Sequence, residues 1–365
     1  MAPRLEPVRF DDLAGFESDD ALAAFAAFAL SVRALRHGAA PTRPARAPSA
    51  RLVAIAREAL AAEIRDAADA RRFFAARFRA FRVDPDEADG KGLLTGYYEP
   101  LVKGSPKRTA EFTAPILGRP RDLVAFPPGG APAGFDPTLS GARRLSDGTL
   151  RPYPDRAAIE AEGGEALLWL ADPVEVFFVQ VQGSARVELP DGREVRLAYD
   201  GRNGRPYTSI GRLLIEAGEM PEREMSLARL KAWLRGHGLQ PGDAGRALMQ
   251  RNRSYVFFKI EEDFDPSQGP IGGAGVALTP LRSIAVDRSI WAYGTPMWID
   301  AELPWEGEAA SPFRRLTIAQ DTGSAILGAA RADIYFGGGD AAGARAGAIR
   351  HRGAFTALLP QGDEP

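Results

Sequence analysis

The sequence predicts a mainly β fold with helical decoration at its N-terminal end. Three observations lead there. Helical apolar spacing fills the first 83 residues and then stops. From Gly92 onward, short apolar runs alternate with turns. Finally, 39 glycines and 29 prolines in 365 residues favour many turns and short strands over a bundle of long helices. Helices first and strands later argues against a doubly wound sheet, in which the two would alternate. At roughly 100–200 residues per domain, two domains are expected.

The elements follow in order. Ser18, Asp19 and Asp20 open a first helix, with acids at the positive end of its dipole. Leu22, Phe25 and Phe28 continue it at helical spacing. His37-Gly38, Pro41, Pro44 and Pro48 mark a loop. Ser49 starts a second helix carrying Leu52, Ile55, Leu60 and Ile64. A third is predicted over 67–81, where Phe73, Phe74, Phe78 and Phe81 read as a core-facing stripe. Strands are then predicted over 93–98, 114–117, 123–126, 174–181, 185–189 and 195–198. Pro190-Asp191-Gly192-Arg193 gives the last two a hairpin turn. Helices are expected at 209–217, 226–235 and 242–252, and strands at 255–260, 297–299, 316–320 and 332–336. A helix over 340–351 and a strand over 355–359 close the chain.

Composition narrows the chemistry. Lys and Arg number 46 and Asp and Glu 48, so no basic excess exists to neutralise many phosphates, and nucleic acid is not an expected partner. The absence of cysteine removes disulfides, thiolate zinc sites and thiol nucleophiles. His37, His237 and His351 lie far apart and show no ligand spacing. Neither a metal nor a cofactor is expected, and carboxylates are left to carry the chemistry. No run of about 20 apolar residues is present, and residues 1–15 show no signal segment.

Three readings compete for the segment from Ile318 to Gly339. Asp321-Thr322-Gly323-Ser324 resembles an aspartic-protease motif, but that chemistry needs two such aspartates and no second motif is present. Gly337-Gly338-Gly339 after a strand suggests a dinucleotide turn, yet the spacing does not fit and only one short strand can follow. Gly272-Gly273-Ala274-Gly275 reads as close backbone packing. A carboxylate site is the third reading. Period 2 puts Ala332, Ile334 and Phe336 on one face, and Asp333 and Tyr335 on the other. An aspartate in so apolar a strand is partly desolvated, which raises its pKa toward that of a general acid. Gly96-Tyr97-Tyr98-Glu99-Pro100 offers Tyr97 and Tyr98 as flat faces for sugar rings, with Glu99 as a second carboxylate. Gln180 and Gln182, read as two amides on one strand face, precede Gly183 and Ser184. Asn203-Gly204-Arg205-Pro206-Tyr207 reads as a turn opening a helix, and Asn203 and Tyr207 join the candidate polysaccharide-binding groups.

These segments, together with Asp200-Gly201-Arg202, Ala319-Gln320-Asp321 and Asp333-Ile334-Tyr335, resemble the membrane-bound lytic murein transglycosylase A family from Gly92 to Pro360. The resemblance implies a double-psi β-barrel domain built from residues 1–109 and 252–365, an inserted β-domain over 110–251, and a groove between them. It implies non-hydrolytic cleavage of the β-1,4 bond between N-acetylmuramic acid and N-acetylglucosamine, giving 1,6-anhydro ends. Asp333 takes the catalytic role, with Asp321 in support. Peptidoglycan strands are then the partner, cell-wall enzymes are candidate further partners, and a periplasmic or outer-membrane-associated monomer is expected, though this sequence has no cysteine to carry a lipid anchor. Two alternatives stay open. One is a hydrolytic muramidase using Glu99 or Asp321 on water; the other is a peptidoglycan-binding protein without catalysis.

Overall fold

The structure is a computed structural model and describes residues 3–37, 41–85, 90–127 and 129–363. Gly38, in the loop expected after His37, lies outside them. The chain forms two compact units, one from Met1–Tyr98 with Pro266–Pro365 and the other from Glu99–Asp265.

Among the described residues, the first unit holds eight strands, the third of which ends at Glu99 of the second unit: β1 (Arg4–Val8), β2 (Phe78–Asp84), β3 (Gly92–Glu99), β4 (Ser283–Val286), β5 (Pro296–Leu303), β6 (Ser311–Asp321), β7 (Arg331–Gly338) and β8 (Arg350–Pro360). Their order is β1-β2-β8-β5-β6-β4-β7-β3, and β8 also pairs with β3. Six strands therefore close on themselves as a barrel, in agreement with the expected double-psi class, while β2 and β1 continue the sheet outward from β8. Closure depends on the length of β8. Its first residues, Arg350 to Gly353, pair with β3, and its last, Thr356 to Pro360, pair with β2. The expected helix over 340–351 is shorter, Asp340–Gly347, because the residues that follow it are drawn into this pairing.

Among the described residues, three α-helices precede the barrel: α1 (Ala21–His37), α2 (Ala50–Ala61) and α3 (Ala67–Arg77). The Ser49 hydroxyl caps α2 by accepting from Leu52 N, and Asp66 caps α3 through Asp69 N. The predicted aromatic stripe is core. Phe25, Phe28, Phe73, Phe74 and Phe78 meet at ring separations of 5.0 to 6.3 Å, mostly edge to face. They share one buried cluster with Trp298, Leu316, Ile318 and Leu358 of the barrel. The third helix stops at Arg77 rather than at 81. Phe78 opens β2 instead, paired with Pro360, so strand pairing overrides a helical spacing that runs on in the sequence.

Asp340–Gly347, labelled α4, packs on β3 through glycines. A Cβ on Gly96 would lie 2.8 Å from the Cα and carbonyl oxygen of Ala346, and one on Gly343 would lie 2.7 Å from the Tyr98 ring. Gly96→Ala is therefore expected to push α4 off the barrel and to cost about 1–3 kcal/mol. Denaturant titration measures this; an unchanged midpoint would contradict it.

The second unit has a six-stranded sheet in the order Val256–Glu261, Glu194–Arg202, Ser184–Glu188, Leu101–Ser105, Ala166–Leu170 and Ala114–Leu117, plus a three-stranded sheet of Leu123–Ala125, Gly141–Arg144 and Leu150–Pro152. The hairpin at Asp191-Gly192 forms as expected, with Glu188 opposite Glu194. One element is corrected. Residues 174–181 are not a strand but lie in a helix, Pro173–Gln182. Asp172 caps it, Pro173 fills its first turn and Gly183 ends it in the left-handed conformation. Apart from Glu175, Gln180 and Gln182 it is apolar, because it is buried on two sides. Val176 and Val179 face the sheet, while Val174, Phe177 and Phe178 face the helices carrying Leu214, Leu230 and Leu234. Periodicity cannot tell such a run from a buried strand. Gln180 and Gln182 therefore do not share a face, since positions i and i+2 of a helix point apart.

Among the described residues, no helix is long and apolar enough to cross a membrane.

Candidate active site

The barrel wall brings Asp321 and Asp333 into one row. Ala285 on β4 lies opposite Asp333 on β7 and opposite Asp321 on β6. The second pairing exists because β6 carries an irregularity. Ile284 pairs with Ala319, but Ala285 pairs with Asp321, so Gln320 is the extra residue of a bulge. A bulge re-aims the side chains that follow it. Here it lets the Gln320 amide turn into the core. Its Nε2 donates to Ala27 O and to the Ser31 hydroxyl, its Oε1 accepts from Ser283, and Asp321 takes the place beside Ala285.

Asp333 is half-buried. Its Oδ1 accepts from the Thr95 hydroxyl at 2.6 Å. Thr95 and Tyr97 lie two apart on β3, as Asp333 and Tyr335 do on β7, and the Tyr97 and Tyr335 rings meet at 5.4 Å. Tyr97, Tyr335, Ala285, Leu278 and Ile326 form a small buried cluster beside the acid. Burial pushes the Asp333 pKa up, and the Asp321 charge adds to this. Arg331 and the Thr95 hydrogen bond pull the other way without cancelling it.

Asp321 is differently placed. Its Oδ2 accepts from the Tyr97 hydroxyl at 3.0 Å, its Oδ1 accepts from Gly273 N at 2.8 Å, and Arg43 Nη2 stands 3.4 Å away. The hydrogen bonds of the two aspartates thus run to different partners, Asp321 to Tyr97 and Gly273 and Asp333 to Thr95. Burial, with the nearby Asp321 and Asp333 charges, holds the Tyr97 hydroxyl well above its ordinary pKa, so it stays a donor. The glycine run is close packing, as expected. A Cβ on Gly273 would lie 2.4 Å from the Tyr293 hydroxyl.

Tyr97 and Tyr98 are both buried, on opposite faces of β3. The remaining residues singled out in the sequence belong to the second unit. Glu99 is buried there, 2.9 Å from Arg196 Nε and 3.9 Å from Arg186, and burial still raises its pKa. Gln180 Oε1 accepts from Arg156 Nη1 at 2.6 Å, and Arg156 also donates to Asn252 O and Ser254 O. Asn203 is fully enclosed. It donates to Pro154 O and Arg253 O and accepts from Tyr255 N and Arg205 N, which makes it the clamp of its own turn. Gly183 is the helix end, Ser184 begins a strand and is buried, and Gln182 and Tyr207 are part-exposed.

Four residues of the acid centre escaped the sequence reading: Thr95, Gln320, Arg331 and Arg43. The first three sit within or beside motifs already singled out, but their roles come from strand pairing. Arg43 reaches Asp321 across 278 positions of chain, and no local pattern marks it.

The closed barrel thus carries in its wall two aspartates, one raised in pKa and one held by Tyr97, Gly273 and Arg43, among hydroxyls and aromatic rings. Comparison with known proteins narrows this. Residues 93–259 match the model of the MltA specific insert domain, and residues 282–359 that of the 3D domain. Membrane-bound lytic murein transglycosylase A of Vibrio cholerae is 30% identical over 283 residues, covering 75% of this chain and 67% of that protein. Its Escherichia coli K12 counterpart is 31% identical over 284 residues, covering 76% and 68%. The crystal structure of a membrane-bound lytic murein transglycosylase from Agrobacterium tumefaciens superimposes with a TM-score of 0.86 at 35% identity, covering 98% of each chain. E. coli MltA with bound chitohexaose gives 0.67 at 25% identity, covering 99% of this chain and 95% of that one. The chain belongs to the membrane-bound lytic murein transglycosylase A family.

Proposed function

We propose that this protein is a peptidoglycan lytic transglycosylase in which Asp333 serves as acid and then as base. The observation that carries the reading is the half-buried carboxyl of Asp333, raised by burial and set in a wall of hydroxyls and aromatic rings. Protonated Asp333 gives its proton to the leaving glycosidic oxygen as the bond from C1 of N-acetylmuramic acid to that oxygen breaks. The resulting carboxylate takes the proton of the C6 hydroxyl as the C6 oxygen bonds to C1. The acid is restored, no water is consumed, and the new end is a 1,6-anhydro sugar. One carboxyl suffices because it donates and accepts in sequence.

Hydrolysis needs a second carboxyl free to activate water. Asp321 is held by Tyr97, Gly273 and Arg43, and Glu99 by Arg196, which supports the intramolecular route. The membrane-bound relatives support a place at the outer membrane or in the periplasm, with peptidoglycan strands as substrate. Mass spectrometry of products from purified peptidoglycan tests the reading. Ends in 1,6-anhydromuramic acid are expected; reducing ends, heavier by one water, would overturn it in favour of hydrolysis.

A further inference from the structure

We propose that Arg331, acting through Thr95, is a positioning residue that holds the transferable proton of Asp333 on Oδ2. The inference rests on the role given to Asp333 above. Its basis is a directed chain of hydrogen bonds. Arg331 Nη2 donates to Thr95 Oγ1 at 2.8 Å, and Thr95 Oγ1 lies 2.6 Å from Asp333 Oδ1. A guanidinium has donors only, and a hydroxyl has one proton to give. Thr95 therefore accepts from Arg331 and spends its own proton on Oδ1. With Oδ1 engaged as an acceptor, the proton of the neutral acid resides on Oδ2.

Arg331 is itself fixed. Its Nη1 donates to Ala332 O at 2.5 Å, and among the described residues no carboxylate lies within 4.0 Å of its guanidinium. Interposing a hydroxyl has a purpose. A direct arginine–aspartate pair lowers the carboxyl pKa by about 1–3 units and would remove the acid at neutral pH. At one remove, the guanidinium orients the carboxyl and lowers its pKa only in part. The other groups that bear on this centre are Asp321 on β6 with Arg43 against it, Tyr97 on β3, Tyr335 on β7, and Arg350 of β8 near Arg331.

The test is the pH dependence of single-turnover cleavage of purified peptidoglycan by the full chain. Asp333 must be protonated to act, so the rate falls as pH rises through its pKa. Arg331 and the Thr95 hydrogen bond both favour the carboxylate, so losing either moves that limb upward. Arg331→Met and Thr95→Val are each expected to lower the plateau about tenfold and to shift the alkaline limb up by about one pH unit. Thr95→Ser restores both. Thr95→Val is nearly isosteric and keeps the test open where Arg331→Met fails to fold. A lowered plateau with an unmoved limb in both variants would overturn the relay and leave a packing role. The two readings separate through Asp333→Asn. Full activity there overturns the assignment of the acid itself, whereas an inactive Asp333→Asn with an unmoved limb in the others overturns only the relay.

Discussion

Asp333→Asn binds peptidoglycan strands and does not cut them: this is the largest effect expected from the structure. The amide preserves the shape beside Thr95 and Ala285 but has no acidic proton for the leaving oxygen and no basic oxygen for the C6 hydroxyl. General acid–base catalysis is worth about 10²–10⁴-fold. In the mechanism proposed above one residue serves both steps, so a loss of at least about 10³-fold is expected. Pull-down on insoluble peptidoglycan measures the retained binding, and product analysis by mass spectrometry measures turnover. Loss of both together would point to a folding defect instead, and retained cutting would remove Asp333 from the mechanism. The pH behaviour follows with its sign. Burial raises the folded-state pKa, which extends the acid form toward neutral pH, and activity declines on the alkaline side of that pKa.

Asp19→Ala carries the largest expected loss of stability. Asp19 precedes α1 and reaches Arg282 and Leu316. Its two oxygens accept from Arg282 Nη1 and Nη2 at 2.8 and 2.9 Å, and Oδ2 also accepts from Leu316 N at 3.0 Å. Both side chains are almost fully enclosed, at 4% and 2% exposure. Removing one partner of a buried pair leaves an uncompensated charge and costs about 3–5 kcal/mol. Arg282 would keep only its bond to Leu316 O, and Leu316 N would lose its acceptor. The check is a urea titration monitored by tryptophan fluorescence, since Trp298 sits in the same cluster. A loss under 1 kcal/mol would mean that water reaches Arg282 once Asp19 is gone.

Much of this was legible in the sequence, for local reasons. Alternation along 332–336 placed Asp333 opposite Ile334, and Asp191-Gly192 named its hairpin. The phenylalanines of α1 and α3 announced a core. What failed had non-local causes. The helix Pro173–Gln182 was misread because it is buried on two sides, although Asp172, Pro173 and Gly183 marked both of its ends. Phe78 and Arg350 left their helical patterns for partners at Pro360 and Thr95. Within the acid centre, the aspartate could be read but its setting could not. The bulge at Gln320 exists only in pairing with β4, and the donor role of Thr95 is set by an arginine 236 positions away.

The route of the chain through the barrel governs when the acid centre comes into being. Thr95 lies before Glu99–Asp265 in the chain, Asp321 and Asp333 lie after it, and the barrel closes only when Arg350 to Gly353 find β3. Contacts so distant in sequence form late, since long loops must close before they are rewarded. A ribosome-bound or C-terminally clipped chain therefore carries the aspartates without their setting, so the centre proposed to cut is absent until the last strand is in hand. For an enzyme that attacks the wall of its own cell, that order of assembly delays activity with no added inhibitor.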